Sequence, residues 1–167
     1  MAVVQLRAGA VSDGYSDDIV SYIEDGIRYT TNAGATRHRG VEMGLGGDVS
    51  ERWGFNLAWA WSDHEYRDFS YICSPPACVP TTTRNYSGND MARAPEYTGN
   101  VTVHYLPALL QGLRIEAQME RIGRYYLDET NTESYDGHTL YHLRGRYWLT
   151  DQLELYARVE NLTDERY

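Results

Sequence analysis

Large apolar side chains alternate with small or polar ones along most of this chain. From Trp53 the odd positions read Trp53, Phe55, Leu57, Trp59 and Trp61, while the even ones read Gly54, Asn56, Ala58, Ala60 and Ser62. The rule returns in Val41, Met43, Leu45 against Glu42, Gly44, Gly46, and in Leu113, Ile115, Ala117, Met119 against Arg114, Glu116, Gln118, Glu120. Near the end, Tyr141, Leu143, Tyr147, Leu149 oppose His142, Arg144, Arg146, and Leu153, Leu155, Ala157, Val159 oppose Glu154, Tyr156, Arg158, Glu160. Successive residues of a strand point to opposite sides of a sheet, so these are two-faced strands. The pattern predicts an all-β chain of about eight strands, near residues 2–10, 17–31, 36–49, 53–67, 96–106, 112–126, 138–149 and 153–162. Most reach the ~9 to 11 residues that a tilted strand needs to cross a bilayer, whereas a globular strand averages ~5 to 6.

Connections alternate in length as well. Ser50-Glu51-Arg52 and Thr150-Asp151-Gln152 are tight, and Pro107–Gln111 is little longer; between them lie long excursions over Asp68–Ala94 and Asp128–Gly137. Outer-membrane barrels show this asymmetry, with brief periplasmic turns and extended external loops. An arginine facing lipid near the midplane costs ~2–4 kcal/mol, so Arg144 and Arg146 demand that the charged face look inward. Arg114, Glu116, Glu120, Arg144, Arg146, Glu154, Arg158 and Glu160 are therefore expected to line a wet lumen.

Composition sharpens this picture. The 167 residues suffice for one domain. Fifteen tyrosines and 4 tryptophans against 2 phenylalanines favour rings with a polar tip, which suit a boundary between apolar and aqueous surroundings. Mean hydropathy is −0.57, and no run of ~18 apolar residues exists, which excludes a transmembrane helix but not a barrel. With 15 basic residues, all arginine, against 24 acidic ones, the net charge is −9, and the basic residues are scattered, which argues against a nucleic-acid partner. Met1–Ala10 lacks the pattern of an export signal.

Candidate chemistry is sparse. Cys73 and Cys78 are spaced for a small loop disulfide in an oxidising compartment, with two unrelated reduced thiols as the alternative. Two thiols do not make a structural zinc site. His138 and His142 would lie about 13 Å apart on a strand at ~3.3 Å per residue, too far to share an ion. His38, His64 and His104 have no cysteine or carboxylate at ligand spacing, and no nucleophile elbow, phosphate loop or dinucleotide fingerprint occurs. No catalytic residue, metal or cofactor is expected, and an enzyme is not.

Three segments carry a family resemblance: Asn32-Ala-Gly-Ala-Thr-Arg-His-Arg-Gly-Val-Glu42, Gly88-Asn-Asp-Met-Ala-Arg-Ala-Pro-Glu-Tyr-Thr-Gly-Asn-Val101, and Tyr156-Ala-Arg-Val-Glu-Asn-Leu-Thr-Asp-Glu-Arg-Tyr167. In order and spacing they resemble the carboxy-terminal barrel of TonB-dependent outer-membrane receptors. The resemblance implies a barrel of about 22 strands around an amino-terminal plug. It also implies uptake of a scarce nutrient, most often a ferric siderophore, energised through TonB. On that reading residues 1–167 are a partial barrel domain in the bacterial outer membrane, without plug or final strand. An open sheet in lipid leaves unpaired edges, so such a segment alone is not expected to transport.

Ligand contacts would then come from the external loops: Tyr66, Arg67, Tyr71, Arg84, Tyr86 and Arg93 in the first, and Arg124, Tyr125, Tyr126 and Tyr135 in the second. Arginine and tyrosine suit an anionic, oxygen-rich chelate. Girdle aromatics and solvated loop charges account for the same residues. Two other architectures fit the alternation: a self-contained eight-stranded outer-membrane barrel (structural, adhesin or lipid-modifying) and a soluble β-sandwich binding module.

Overall fold

The computed structural model describes residues 3–24, 27–73 and 78–167. Among the described residues eleven strands occur: β1 Val3–Glu24, β2 Ile27–Asp48, β3 Trp53–Asp68, β4 Ser70–Cys73, β5 Thr82–Asn85, β6 Tyr97–Tyr105, β7 Leu113–Ile122, β8 Tyr125–Tyr126, β9 Ser134–Tyr135, β10 His138–Thr150 and β11 Leu153–Val159. Seven form one antiparallel sheet in the order β1-β2-β3-β6-β7-β10-β11, a meander in which each long strand pairs with the next. β4–β5 and β8–β9 are separate small hairpins inside the two long connections.

The strands expected at 53–67, 96–106, 138–149 and 153–162 are present within a few residues. The first three expected strands are a correction. Residues 11–16 and 32–35 do not interrupt the chain; they lie within β1 and β2, which pair without a break from Val3↔Asp48 to Ser16↔Ala35 and again from Asp18↔Ala33 to Glu24↔Ile27. Gly14 and Gly34 permit a turn but do not compel one, and the ladder absorbs them. Residues 25–26 of the expected 17–31 strand lie outside the described residues.

Cross-strand register turns the alternation into continuous rows. One face carries Leu6, Leu45, Leu57, Val101, Met119 and Tyr141 side by side across six strands. Two residues along each strand, the same face carries Val4, Gly47, Phe55, Val103, Ala117, Leu143 and Val159. The opposite face carries Gln5, Gly46, Asn56, Thr102, Gln118 and His142 in the corresponding row.

No protein covers the apolar face. Leu6 is 66% exposed and Leu155 51%. A soluble sandwich would pack these rows against a second sheet, so that alternative is overturned. The sheet is also open, since β1 and β11 are its two ends, which overturns the closed eight-stranded barrel. Among the described residues the buried apolar side chains are Tyr66 at the outer end of β3, Phe69, Cys73 and Cys78 in the first long connection, and Leu140 on β10, while Thr36, His104, His138 and His142 are buried polar ones.

Tight turns close the short end. At 49–52 the Ser50 hydroxyl accepts from the amides of Arg52 (3.3 Å) and Trp53 (3.1 Å). Gly112 has φ +87°, and a Cβ there would lie 3.0 Å from the Trp148 carbonyl oxygen, so this turn needs glycine.

Candidate functional site: the loop assembly at the outer end of the sheet

The apolar face has limits marked by aromatic pairs. Trp53 stacks on Tyr105 at 4.3 Å near the short turns, and Trp61 pairs with Tyr97 eight residues farther along β3. Those eight steps run about 26 Å along the strand at ~3.3 Å per residue, or roughly 20 Å of height at the ~35–45° tilt of barrel strands, most of an apolar band of ~25 Å. Beyond Trp61 the same face turns ionic. Arg37 bridges Asp63 at 2.9 Å and also contacts Glu65, which pairs with Arg67 at 3.3 Å. Charged pairs on this face belong in water, so the strand ends past Trp61 stand clear of hydrocarbon.

There the first loop folds on itself. Phe69 has no exposed surface and packs on Tyr66 at 4.8 Å, Tyr86 at 5.6 Å and Tyr71 at 6.3 Å, with Met91 against the same cluster. β4 and β5 form the hairpin above it, and a disulfide joins Cys73 to Cys78. Arg84, on β5, donates to Cys78 Sγ at 3.7 Å. The chain then returns along β3: the amides of Tyr66 and Met91 donate to the carbonyls of Asn89 (2.9 Å) and His64 (2.8 Å).

The second loop is tied to the first. Arg93 N–H donates to the Tyr126 carbonyl (2.7 Å), Glu96 N–H to that of Arg124 (3.0 Å), and Asn89 Nδ2 to that of Glu129 (2.8 Å). The Asp128 carboxylate organises this loop by accepting from the Thr132 hydroxyl (2.9 Å), the Glu133 amide (3.0 Å) and the Thr130 hydroxyl. Partial burial pushes the Asp128 carboxyl up, but these hydrogen bonds outweigh it and hold it below the usual range. Burial pushes Glu129 up, with Asp128 adding to the effect and Arg93 opposing it.

The expected ligand residues divide accordingly. Tyr66 is 3% exposed and packs in the small apolar core beneath the first loop. Tyr71 and Tyr86 are half-buried in the same cluster. Arg67, Arg84, Arg93 and Arg124 reach solvent, although Arg67 is engaged by Glu65. Arg124 lies over the Tyr126 ring at 5.0 Å, and Tyr125 packs on Tyr135 at 5.3 Å. Arg93, Arg124, Tyr125 and Tyr126 thus gather at one junction, while Arg84 belongs to the β4–β5 hairpin. Sequence reasoning missed a cavity of about 200 Å³ at that junction, bordered by Ser62, His64, Asp90, Glu96, Tyr125 and Tyr126. Nothing in the residue pattern announces it, because four separate segments meet there.

Seven of the eight charged residues expected inward share the face opposite the apolar rows, and Glu160, past the end of β11, pairs with one of them. Arg114–Glu116 (2.8 Å), Arg146–Glu154 (3.1 Å) and Arg158–Glu160 (3.1 Å) form pairs, and Arg144 stands between Glu116 and Arg158 in register. Farther across the sheet, Arg7, Glu42, Asn100 and Glu120 border a concavity of about 770 Å³. His138 bonds the Tyr135 hydroxyl (2.9 Å) and stacks on Tyr167, whereas His142 lies 3.8 Å from Glu120, so the two have separate surroundings. Among the described residues no group of three or more histidine, cysteine or acidic side chains could hold a metal ion.

The family described as TonB dependent receptor-like, beta-barrel matches residues 6–162. The chain belongs to that family. It is a partial segment of an antiparallel outer-membrane barrel. A probable TonB-dependent siderophore receptor, PiuA of Acinetobacter baumannii, is 26% identical over 136 residues, 81% of this chain and 18% of that protein. The crystal structure of the siderophore receptor PiuA from the same species superposes with a TM-score of 0.76 at 21% identity, over 98% of this chain and 22% of that one. The ferric yersiniabactin uptake receptor FyuA of Yersinia pestis gives 0.71 at 18% identity, over 97% and 23%. The copper transporter OprC gives 0.74 at 15%, over 98% and 24%. The chain therefore spans about a fifth of the length of these relatives.

Proposed function

We propose that this chain forms part of a receptor that captures a ferric siderophore at the cell surface and imports it with energy delivered through TonB. The family match over residues 6–162, together with the likeness to PiuA, carries the reading. The loop assembly supports it. Arg84, Arg93 and Arg124 offer guanidinium donors for an oxygen-rich anionic chelate, and Tyr125 and Tyr126 offer ring faces beside two of them. The chain acts by binding and transport, not by catalysis. Strands beyond β1 and β11 and a plug complete the barrel, because unpaired strand edges in hydrocarbon cost several kcal/mol per group. Residues 1–167 alone do not transport.

The test uses the full-length receptor in iron-starved cells supplied with radiolabelled ferric catecholate, hydroxamate and carboxylate chelates. At least one chelate class is taken up in a TonB-dependent way. Alanine at Arg84, Arg93 and Arg124 together then weakens its binding by tenfold or more at unchanged receptor abundance. Absence of uptake for every class, or unchanged affinity in the triple variant, refutes the reading.

A further inference from the structure

His38 and His64 are cross-strand partners on β2 and β3, three residues beyond the aqueous boundary at Trp61. Their rings meet edge to face, centroids 4.9 Å apart, with Nδ1 2.6 Å from Nδ1. Two imidazole nitrogens that close share a single proton, one ring donating and the other accepting. A first added proton goes to a distal Nε2 and makes the bond charge-assisted. A second leaves two N–H groups pointing at each other on two cations, and the contact breaks.

The surroundings decide how readily that second proton arrives. From β1, Asp13 is the register partner of His38 and the Tyr15 ring lies 5.3 Å from it; from β2, Thr36 Oγ1 is 3.1 Å from His38 Nε2. On β3, Asp63 is held by Arg37, and across the cavity His64 shares its walls with Asp90, Glu96, Tyr125 and Tyr126. These carboxylates favour the cation. Burial and the facing His38 nonetheless outweigh Asp63 and hold the His64 imidazole below its usual value.

The attachment of both loops runs through this point. The His64 carbonyl accepts from Met91 N–H, Glu65 bridges to Asp90, and Asp90 in turn is gripped by Asn131 of the second loop.

We propose that the His38–His64 pair is an acid-sensitive latch whose double protonation parts the outer ends of β2 and β3 and loosens both external loops from the sheet. A base whose folded-state value is depressed contributes stability above its unfolded value and loses it as pH falls, so the latch opens below ~6.5.

The experiment is amide hydrogen exchange on the full-length receptor in lipid nanodiscs at pH 7.5 and 5.0 and at steps between, each corrected for intrinsic exchange. The stretches 64–67 and 86–92 lose protection tenfold or more at pH 5.0, while 113–119 of β7 does not change. His64→Gln and, separately, His38→Gln abolish the pH response. Equal protection of the wild-type loop roots at both pH values overturns the latch, as does a variant that still responds like the wild type. Should neither variant assemble, the wild-type profile decides: a transition centred above pH 7, or none, overturns it.

Discussion

Asn131 grips Asp90 by both of its backbone groups, Oδ1 accepting from the amide at 2.8 Å and Nδ2 donating to the carbonyl at 2.9 Å. The side chain of one loop thus imitates a strand neighbour for the other. Asn131 itself holds φ 56°, a left-handed conformation that asparagine tolerates better than most residues. Asn131→Ala removes the grip and adds backbone strain, together about 1–2 kcal/mol, most of it from two hydrogen bonds that water partly replaces. Exchange of the Asp90 amide in the full-length receptor is expected to quicken roughly tenfold, while amides of β7 keep their protection.

Leu57 and Asn56 are sequence neighbours on opposite faces, one between Leu45 and Val101 and the other between Gly46 and Thr102. Leu57→Arg puts a cation into lipid at about mid-band and costs ~2–4 kcal/mol; Asn56→Arg places the same charge on the lumen side at far lower cost. Urea unfolding of the full-length receptor from vesicles checks both, and equal destabilisation contradicts the assignment of faces.

Asp128 gives a pH dependence opposite in origin to that of the histidine pair. Its carboxyl sits below the usual range in the folded loop, so the anion stabilises the loop above the unfolded value near ~3.9, and that contribution fades as pH falls through the folded value. The Glu133 amide, which donates to Asp128 Oδ1, is the reporter. Its protection is expected to decline below about pH 4 in the wild type. In Asp128→Ala it is low at every pH.

The membrane-spanning part of this fold was legible because hydrocarbon enforces a strict rule: Trp53 to Trp61 alternates so regularly that face, strand and phase follow together. Where water replaces lipid the rule lapses. Residues 11–16 read as a break between two strands, yet they lie in the middle of β1 and pair with β2 without interruption. Tyr66 reads as a loop ring awaiting a ligand, yet Phe69 and its neighbours enclose it, and one sequence does not reveal which aromatic residues find one another. The Asn131–Asp90 grip joins residues 41 apart and the His38–His64 contact residues 26 apart. Such pairs follow from register, which emerges only after the strands have met.

Phe69, shut away from solvent in a loop and not in the sheet, gives the exterior of this receptor a fixed relief. A binder that met the described part of this loop would meet a sculpted knob instead of a loose string. Linear peptides copied from residues 69–96 would raise sera that see the denatured chain better than the living surface.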